Sequence, residues 1–367
     1  MTTKIYFKGY YGYKNIGDDI FCVTADWVTN KYLRENKAIF VGENLPLLSN
    51  NAIRINIKNT FLRKFTELFI TFYADKIIYF GGSVFNNTNL NFPNIKYFLL
   101  NCNFLSKKLS TYGTSIGPFK NKEDKINTFQ FLSKFNKIVV RDYSSLNILE
   151  EKKQNLNYLF GFDIAILLKE VYPKLIDVNK NNNRNRLGVS LCYFERHHDG
   201  SLIDEENRLN SVEDFLVELA ENRKIYNIDE IVFFEFNGNE NNGDLELTEK
   251  VAAKLKSKIK TKIVHYNSDT EKFCMEFAEM DYIVGMRLHS GIMAYALDIP
   301  FLLVEYHKKS TEFLNTINHN YRFTTADTQS NLITFKKITD LGKIPNIQNP
   351  EKFKKIFKSS LECRDLR

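Results

Sequence analysis

Short apolar runs alternate with stretches of helical spacing along most of the chain. The runs at 4–8, 38–41, 53–57, 76–80, 109–115 and 138–141 are rich in β-branched and aromatic residues and predict buried strands. Between them, 20–32, 61–73 and the stretch from Ser144 place apolar side chains at helical intervals. Strands alternating with helices predict a parallel sheet covered on both faces. The polar, Asn-rich stretch VNKNNNRNR at 178–186 has no periodicity and reads as a linker. The alternation then resumes, with strands expected at 187–191, 231–236, 262–265, 282–284 and 301–304. Helices are expected at 212–222, 245–255, 270–278 and about 288–297. The fold class is therefore α/β, two doubly wound Rossmann-like domains facing a cleft: 1–177, the linker 178–186, then 187–345. Residues 346–367 predict a C-terminal amphipathic helix, with Phe353, Ile356, Phe357 and Leu361 on one face and Lys352, Lys354, Lys355 and Lys358 on the others. That helix is expected to pack on a domain; the alternative is a basic face resting on anionic lipid.

Composition agrees with two domains of ordinary size: 367 residues, 43% of them hydrophobic and 26% charged. The net charge of +7 favours anions in general. It is spread along the chain, with no Lys/Arg block and no nucleic-acid motif, so phosphorylated small molecules and lipid phosphates rank above nucleic acid. The five cysteines (Cys22, Cys102, Cys192, Cys274, Cys363) are scattered, odd in number and never in a CxxC pair. They predict buried reduced thiols in a cytoplasmic protein. The histidines show no metal-ligand spacing: His197 and His198 fall in a polar loop, His265 ends a strand, His319 reads as loop. With no span-length apolar run and no signal-peptide core, any membrane contact is expected to be peripheral.

Candidate chemistry falls at strand ends. The stretch GYYGYKNIGDD (9–19) follows a strand and opens a helix, which suits close backbone approach and an anion, though it is neither a dinucleotide fingerprint nor a Walker loop. It offers Gly12, Asn15 and Gly17 as loop residues. Of Asp18 and Asp19, one suits a helix cap and the other a base for a sugar hydroxyl. Gly82 and Ser83, Ser115 and Gly117, and Arg141 and Asp142 mark the ends of other strands of the first domain and are expected at the same sheet edge. In the second domain, Gly285 leads to Arg287, His289 and Ser290 at the mouth of an apolar helix, with Tyr306 and Lys308 further on. A guanidinium, an imidazole and a helix N-terminus together suit a phosphate or carboxylate, and the imidazole can exchange a proton near neutral pH.

These segments, with GGSVF, SIGPF, RDYSS and above all DYIVGMRLHSGIMAYALDIPFLLVEYHKK, resemble the polysaccharide pyruvyl transferase family, in order across about 9–313. The specific part is Arg-x-His, a small-residue helix, Pro, then Tyr and Lys. The resemblance implies a GT-B-like fold, phosphoenolpyruvate as co-substrate with no cofactor or metal, and transfer to a glycan or lipid-linked oligosaccharide of a bacterial surface polysaccharide such as a capsule or exopolysaccharide. It implies donor roles for Arg287, His289 and Lys308, alongside Ser290 and Tyr306, and peripheral contact with the inner membrane face if the acceptor is lipid-linked. The expected product is a pyruvate ketal, with His289 as acid and Asp18 or Asp19 as base. In one place the chain departs from the family: where members often carry an Arg after the first strand of the second domain, this chain has Cys192 and Tyr193, with Arg196 as the nearby substitute. The alternatives are a GT-B-type glycosyltransferase using a nucleotide sugar, and a non-catalytic glycan-binding member.

Overall fold

The computed structural model describes residues 2–33, 36–86, 108–151, 156–178, 185–197 and 200–361. Cys102, Cys363, His198 and most of the 178–186 linker lie outside the described residues. The chain forms two compact units. The first comprises Met1–Tyr13, Gly17–Leu167 and Glu351–Arg367, the second Lys14–Ile16 and Leu168–Pro350. The division at Leu167/Leu168 precedes the 178–186 stretch, and two short segments cross over: 14–16 joins the second unit and 351–367 the first.

In the first unit, strands β1 (Lys4–Lys8), β2 (Lys37–Gly42), β3 (Ile53–Asn56), β4 (Lys76–Phe85), β5 (Lys108–Ile116), β6 (Phe135–Val140) and β7 (Tyr158–Phe160) make a parallel sheet of order β3-β2-β1-β4-β5-β6-β7. In the second, β8 (Arg186–Ser190), β9 (Glu230–Phe234), β10 (Lys260–Val264), β11 (Tyr282–Gly285) and β12 (Phe301–Leu303) make a parallel sheet of order β10-β9-β8-β11-β12. The strand order reverses between β1 and β4 in one sheet and between β8 and β11 in the other. Ligands of open α/β sheets bind outside the carboxyl ends of strands at such reversals. The chain leaving β1 and β4, and the chain leaving β8 and β11, are therefore where each unit's site belongs.

Two expectations shift. Gly81–Ser83 are not a turn after β4: the strand runs on to Phe85, with Gly81 and Gly82 at φ +80° and +82° and a register shift between Gly82 and Phe85. Glycine tolerates that backbone, so the strand bends without ending. Strand β5, expected over 109–115, likewise runs on to Ile116, and Gly117 follows with φ +76° before a cis Gly117–Pro118 bond. Strand β7 and the helices Lys122–Leu132, Lys308–Thr316 and Thr328–Leu341 were not expected. Their apolar residues are too few or too irregular for a clear period.

The C-terminal helix Pro350–Leu361 turns its apolar face inward against the first unit. Phe353 stacks on Phe162 at 4.2 Å, Phe357 meets Phe80 edge-on at 6.4 Å, and Lys137 Nζ donates to the Ser360 carbonyl at 2.7 Å. Both rings are 0% exposed, each worth about 1.5–3 kcal/mol of burial. Among the described residues, no helix is long and apolar enough to cross a membrane.

Candidate functional site

In the second unit the site grows from β11. Gly285 ends that strand, and a Cβ there would run into the hydroxyl of Ser290, so only glycine lets the next helix start this close. Arg287 is the N-cap residue of the Leu288–Ala296 helix, and His289 and Ser290 lie in its first turn. Ser290 Oγ donates back to the Arg287 carbonyl at 2.6 Å, and the hydroxyl of Ser190, the last residue of β8, is buried beside them. His289 is half-buried.

Arg287 is gripped by a carboxylate 43 residues away: its Nε donates to Asp244 Oδ2 at 3.0 Å and its Nη2 to Oδ1. Asp244 is fully buried and also accepts from the Asn237 N–H at 3.0 Å. Burial raises the Asp244 pKa against the opposing pull of Arg287. For Arg287, burial works against the charge, but the Asp244 carboxylate outweighs it and the guanidinium pKa rises. A guanidinium has five N–H donors, so this grip orients the fork and leaves Nη1 for a ligand. The Asn237–Asp244 loop also recruits the crossover segment of this unit: Asn15 pairs with Asn237, Ile16 N–H donates to the Phe236 carbonyl at 3.0 Å and Gly238 N–H to the Lys14 carbonyl at 2.8 Å. Asn15 thus belongs with the Arg287 grip, not with the other loop residues of the first unit.

Cys192 and Tyr306 complete the neighbourhood. Burial pushes the Cys192 thiol up to about 12, offset in part by Arg287 and Arg208, and burial with the nearby Cys192 raises the Tyr306 phenol. Arg208, on the Leu202–Glu221 helix, lies 5.8 Å from the Tyr306 ring centre and pairs with Glu195. Its Nε is buried without a hydrogen-bond partner among the described residues. Arg196 points elsewhere: it donates to buried Glu205 at 2.7 Å and stacks on Tyr193 at 3.3 Å. Lys308 is exposed at the start of its helix and pairs along it with Glu312. His319 lies in a loop, as expected, but is buried there, its Nε2 3.0 Å from the Phe301 carbonyl.

In the first unit Arg141 gathers four strand-end residues. Its Nε donates to Ser115 Oγ at 2.7 Å, its Nη2 to Ser83 Oγ at 3.1 Å and its Nη1 to Asp163 Oδ2 at 2.8 Å. Ser115 Oγ donates on to Asp142 Oδ2 at 2.6 Å, while the other Asp142 oxygen accepts from the Ser145 N–H. The two acidic residues of helix α1 (Ile16–Tyr32) differ in kind. Asp19 is fully buried and accepts from the Gly12 N–H at 2.7 Å, tying the loop to the helix. Gly12 sits at φ +79° against the Asn44–Leu45 backbone, and Gly17 is buried within α1. Asp18 is half-buried and lies beside Gly82, its Oδ1 3.7 Å from where a Cβ there would stand.

Asp244, Arg208 and Asp163 are the members of these clusters that sequence reasoning missed. The only local sign of Asp244 was its place between a polar loop and a helix start. Among the described residues, no group of three or more His, Cys, Asp or Glu is arranged to hold a metal.

Solved structures share the fold. The UDP-GlcNAc 2-epimerase of Methanocaldococcus jannaschii superposes with a TM-score of 0.60 at 15% identity, covering 98% of this chain and 99% of that one. The enzyme of the same name from Neisseria meningitidis, bound to UDP-GlcNAc, gives 0.60 at 11%, with 99% of each chain covered. Both are GT-B-like, and identities this low speak for the fold alone. No curated protein matches the sequence. The sequence model of polysaccharide pyruvyl transferases matches residues 12–308, a span holding Asp18, Arg141, Asp244, Arg287 and His289, and the chain belongs to the polysaccharide pyruvyl transferase family.

Proposed function

We propose that the protein moves the pyruvyl group of phosphoenolpyruvate onto two hydroxyls of one sugar in a bacterial surface polysaccharide or its lipid-linked precursor. The observation that carries this reading is the family match over 12–308, a span that includes Arg287 and His289 at the start of the helix after β11. Phosphoenolpyruvate presents a carboxylate and a phosphate. Arg287, held in orientation by Asp244, and Arg208, with its buried Nε, supply donors for both, together with the N–H groups of the first helical turn. Arg208 rather than Arg196 takes the place of the family arginine missing at Cys192.

His289 protonates the methylene carbon, and the charge develops at C2. A sugar hydroxyl adds there and loses its proton to a carboxylate. The C2–O bond to phosphate breaks, a second hydroxyl closes the ketal and gives up its proton to the imidazole that His289 left deprotonated, and inorganic phosphate leaves carrying the proton first taken by the carboxylate. Asp18 suits the base better than Asp19, whose carboxylate is buried on the Gly12 N–H. We assign donor binding to the second unit and acceptor binding, through Ser83, Ser115, Arg141 and Asp142, to the first. The reaction class puts the protein where phosphoenolpyruvate is made, in the cytoplasm.

The fold shared with enzymes solved on UDP-GlcNAc favours one other reading, a transferase using a nucleotide sugar. Thermal-shift titration separates the two, because a ligand that binds only the folded state raises its melting temperature. Phosphoenolpyruvate should raise it in the wild type and not in an Arg287→Gln, Asp244→Asn double variant, which removes both charges together. A shift with UDP-GlcNAc and none with phosphoenolpyruvate would overturn the pyruvyl reading.

A further inference from the structure

Helix α2 (Thr60–Tyr73) is amphipathic in the wrong sense for a helix that only covers its sheet. Its buried side is largely polar. Arg63 is 8% exposed and donates to Glu43 and to the Ile57 carbonyl; half-buried Glu67 accepts from Lys8 at 2.9 Å; buried Thr71 donates to the Glu67 carbonyl. Its apolar side faces out. Phe61, Phe65, Phe69 and Tyr73 follow one another at intervals of four, with Leu62 and Phe72 alongside, and all are between 42% and 81% exposed. Residues so spaced form one stripe along a helix. Every exposed phenylalanine among the described residues is on this stripe.

Charge says what the stripe fits. With Arg63 and Glu67 paired inward, the helix's exposed ionised side chain is Lys64, and Lys58 is exposed just before the helix begins. Lys4 Nζ sits 3.8 Å over the Tyr73 ring at the other end. Aromatic rings bordered by lysines are the chemistry of a helix lying in the headgroup layer of an anionic membrane. A second copy fits less well. The helix of 14 residues is about 21 Å long, so a stripe about 10 Å wide offers about 200 Å², against about 800 Å² per partner in a stable protein interface.

We propose that α2 docks the protein on an anionic lipid surface, its aromatic stripe seated in the interface and its lysines on the headgroups. This does not depend on the pyruvyl-transfer reading. The C-terminal helix, the other basic amphipathic element, cannot serve this way with its apolar face already packed in the first unit.

The test is flotation of the full chain with vesicles of equimolar phosphatidylglycerol and phosphatidylcholine, and with phosphatidylcholine alone. The wild type and a Phe65→Ser, Phe69→Ser variant are compared, with melting temperature and sedimentation velocity measured on both. Serine is no worse than phenylalanine in a helix, so an exposed stripe should tolerate the change. The expected result is wild-type flotation with the anionic vesicles, weakened by salt, and a partition coefficient about tenfold or more lower in the variant. Both proteins should stay monomeric with the same melting temperature. Absent wild-type flotation, or equal flotation of the variant, overturns the proposal. So does a large drop in the variant's melting temperature, which would mean the stripe is packed against protein. A wild-type dimer made monomeric by the variant overturns it in favour of a second copy.

Discussion

Arg287 and Asp244 hold each other so closely that neither can be removed alone without cost. Deleting one partner of a buried pair leaves the other's charge without compensation, typically about 3–5 kcal/mol. Arg287→Ala should therefore lower the free energy of unfolding by about that much in urea titrations, and lose turnover as well. The Arg287→Gln, Asp244→Asn double variant should regain most of the stability and none of the activity. Were the double variant as unstable as the single, the grip would be structural packing rather than charge compensation. His319 offers a second test at this scale. Burial pushes its imidazole down to about 4. In the unfolded chain it titrates near 6.5, so between about 6.5 and 4 the unfolded state binds the extra proton and stability falls as pH falls. At most about 1.4 kcal/mol per pH unit is lost in that window, and the loss levels off below about 4. A His319→Gln variant should show a flatter stability profile over the same range.

Among elements, the C-terminal helix and α2 are both amphipathic, and the sequence pointed to the first as the one with a face for lipid. In the helix Pro350–Leu361 the apolar face is spent on the first unit. Phe357→Ala should cost about 3–5 kcal/mol, as buried Phe→Ala changes do, whereas Lys355→Ala should change stability by less than about 0.5 kcal/mol. Urea midpoints of the two variants check this directly. The strand-to-helix turn at Gly285–Ser290 was legible, because a β-rich run, a glycine and a small-residue helix are local signals. Local signals also singled out Ser83, Ser115 and Asp142, which the structure gathers around the Arg141 guanidinium, though Ser83 lies within β4 and not beyond it. The extension of β4 through Gly81 and Gly82 was not legible, since glycines that end a strand and glycines that bend one look the same in sequence.

For the whole molecule, the two sheets divide the proposed labour. If the second unit takes phosphoenolpyruvate and the first activates the sugar hydroxyl, then Asp18→Asn should leave the phosphoenolpyruvate thermal shift intact. Its turnover should fall by about 10²–10⁴, the usual worth of a general base. Loss of the shift in Asp18→Asn would move that carboxylate to the donor. The sequence by itself determined most of the strand and helix order, short of β7 and three helices, along with the two parallel sheets and the Arg-x-His turn. Each rests on periodicity or turn chemistry within a few neighbouring residues. Only the tertiary structure decided which carboxylate holds Arg287, that Arg208 rather than Arg196 nears Tyr306, that Asn15 joins the second unit, and that α2 turns its phenylalanines outward. Those partners lie tens to hundreds of residues apart, and packing, not local propensity, selects among the many pairings one charge pattern allows.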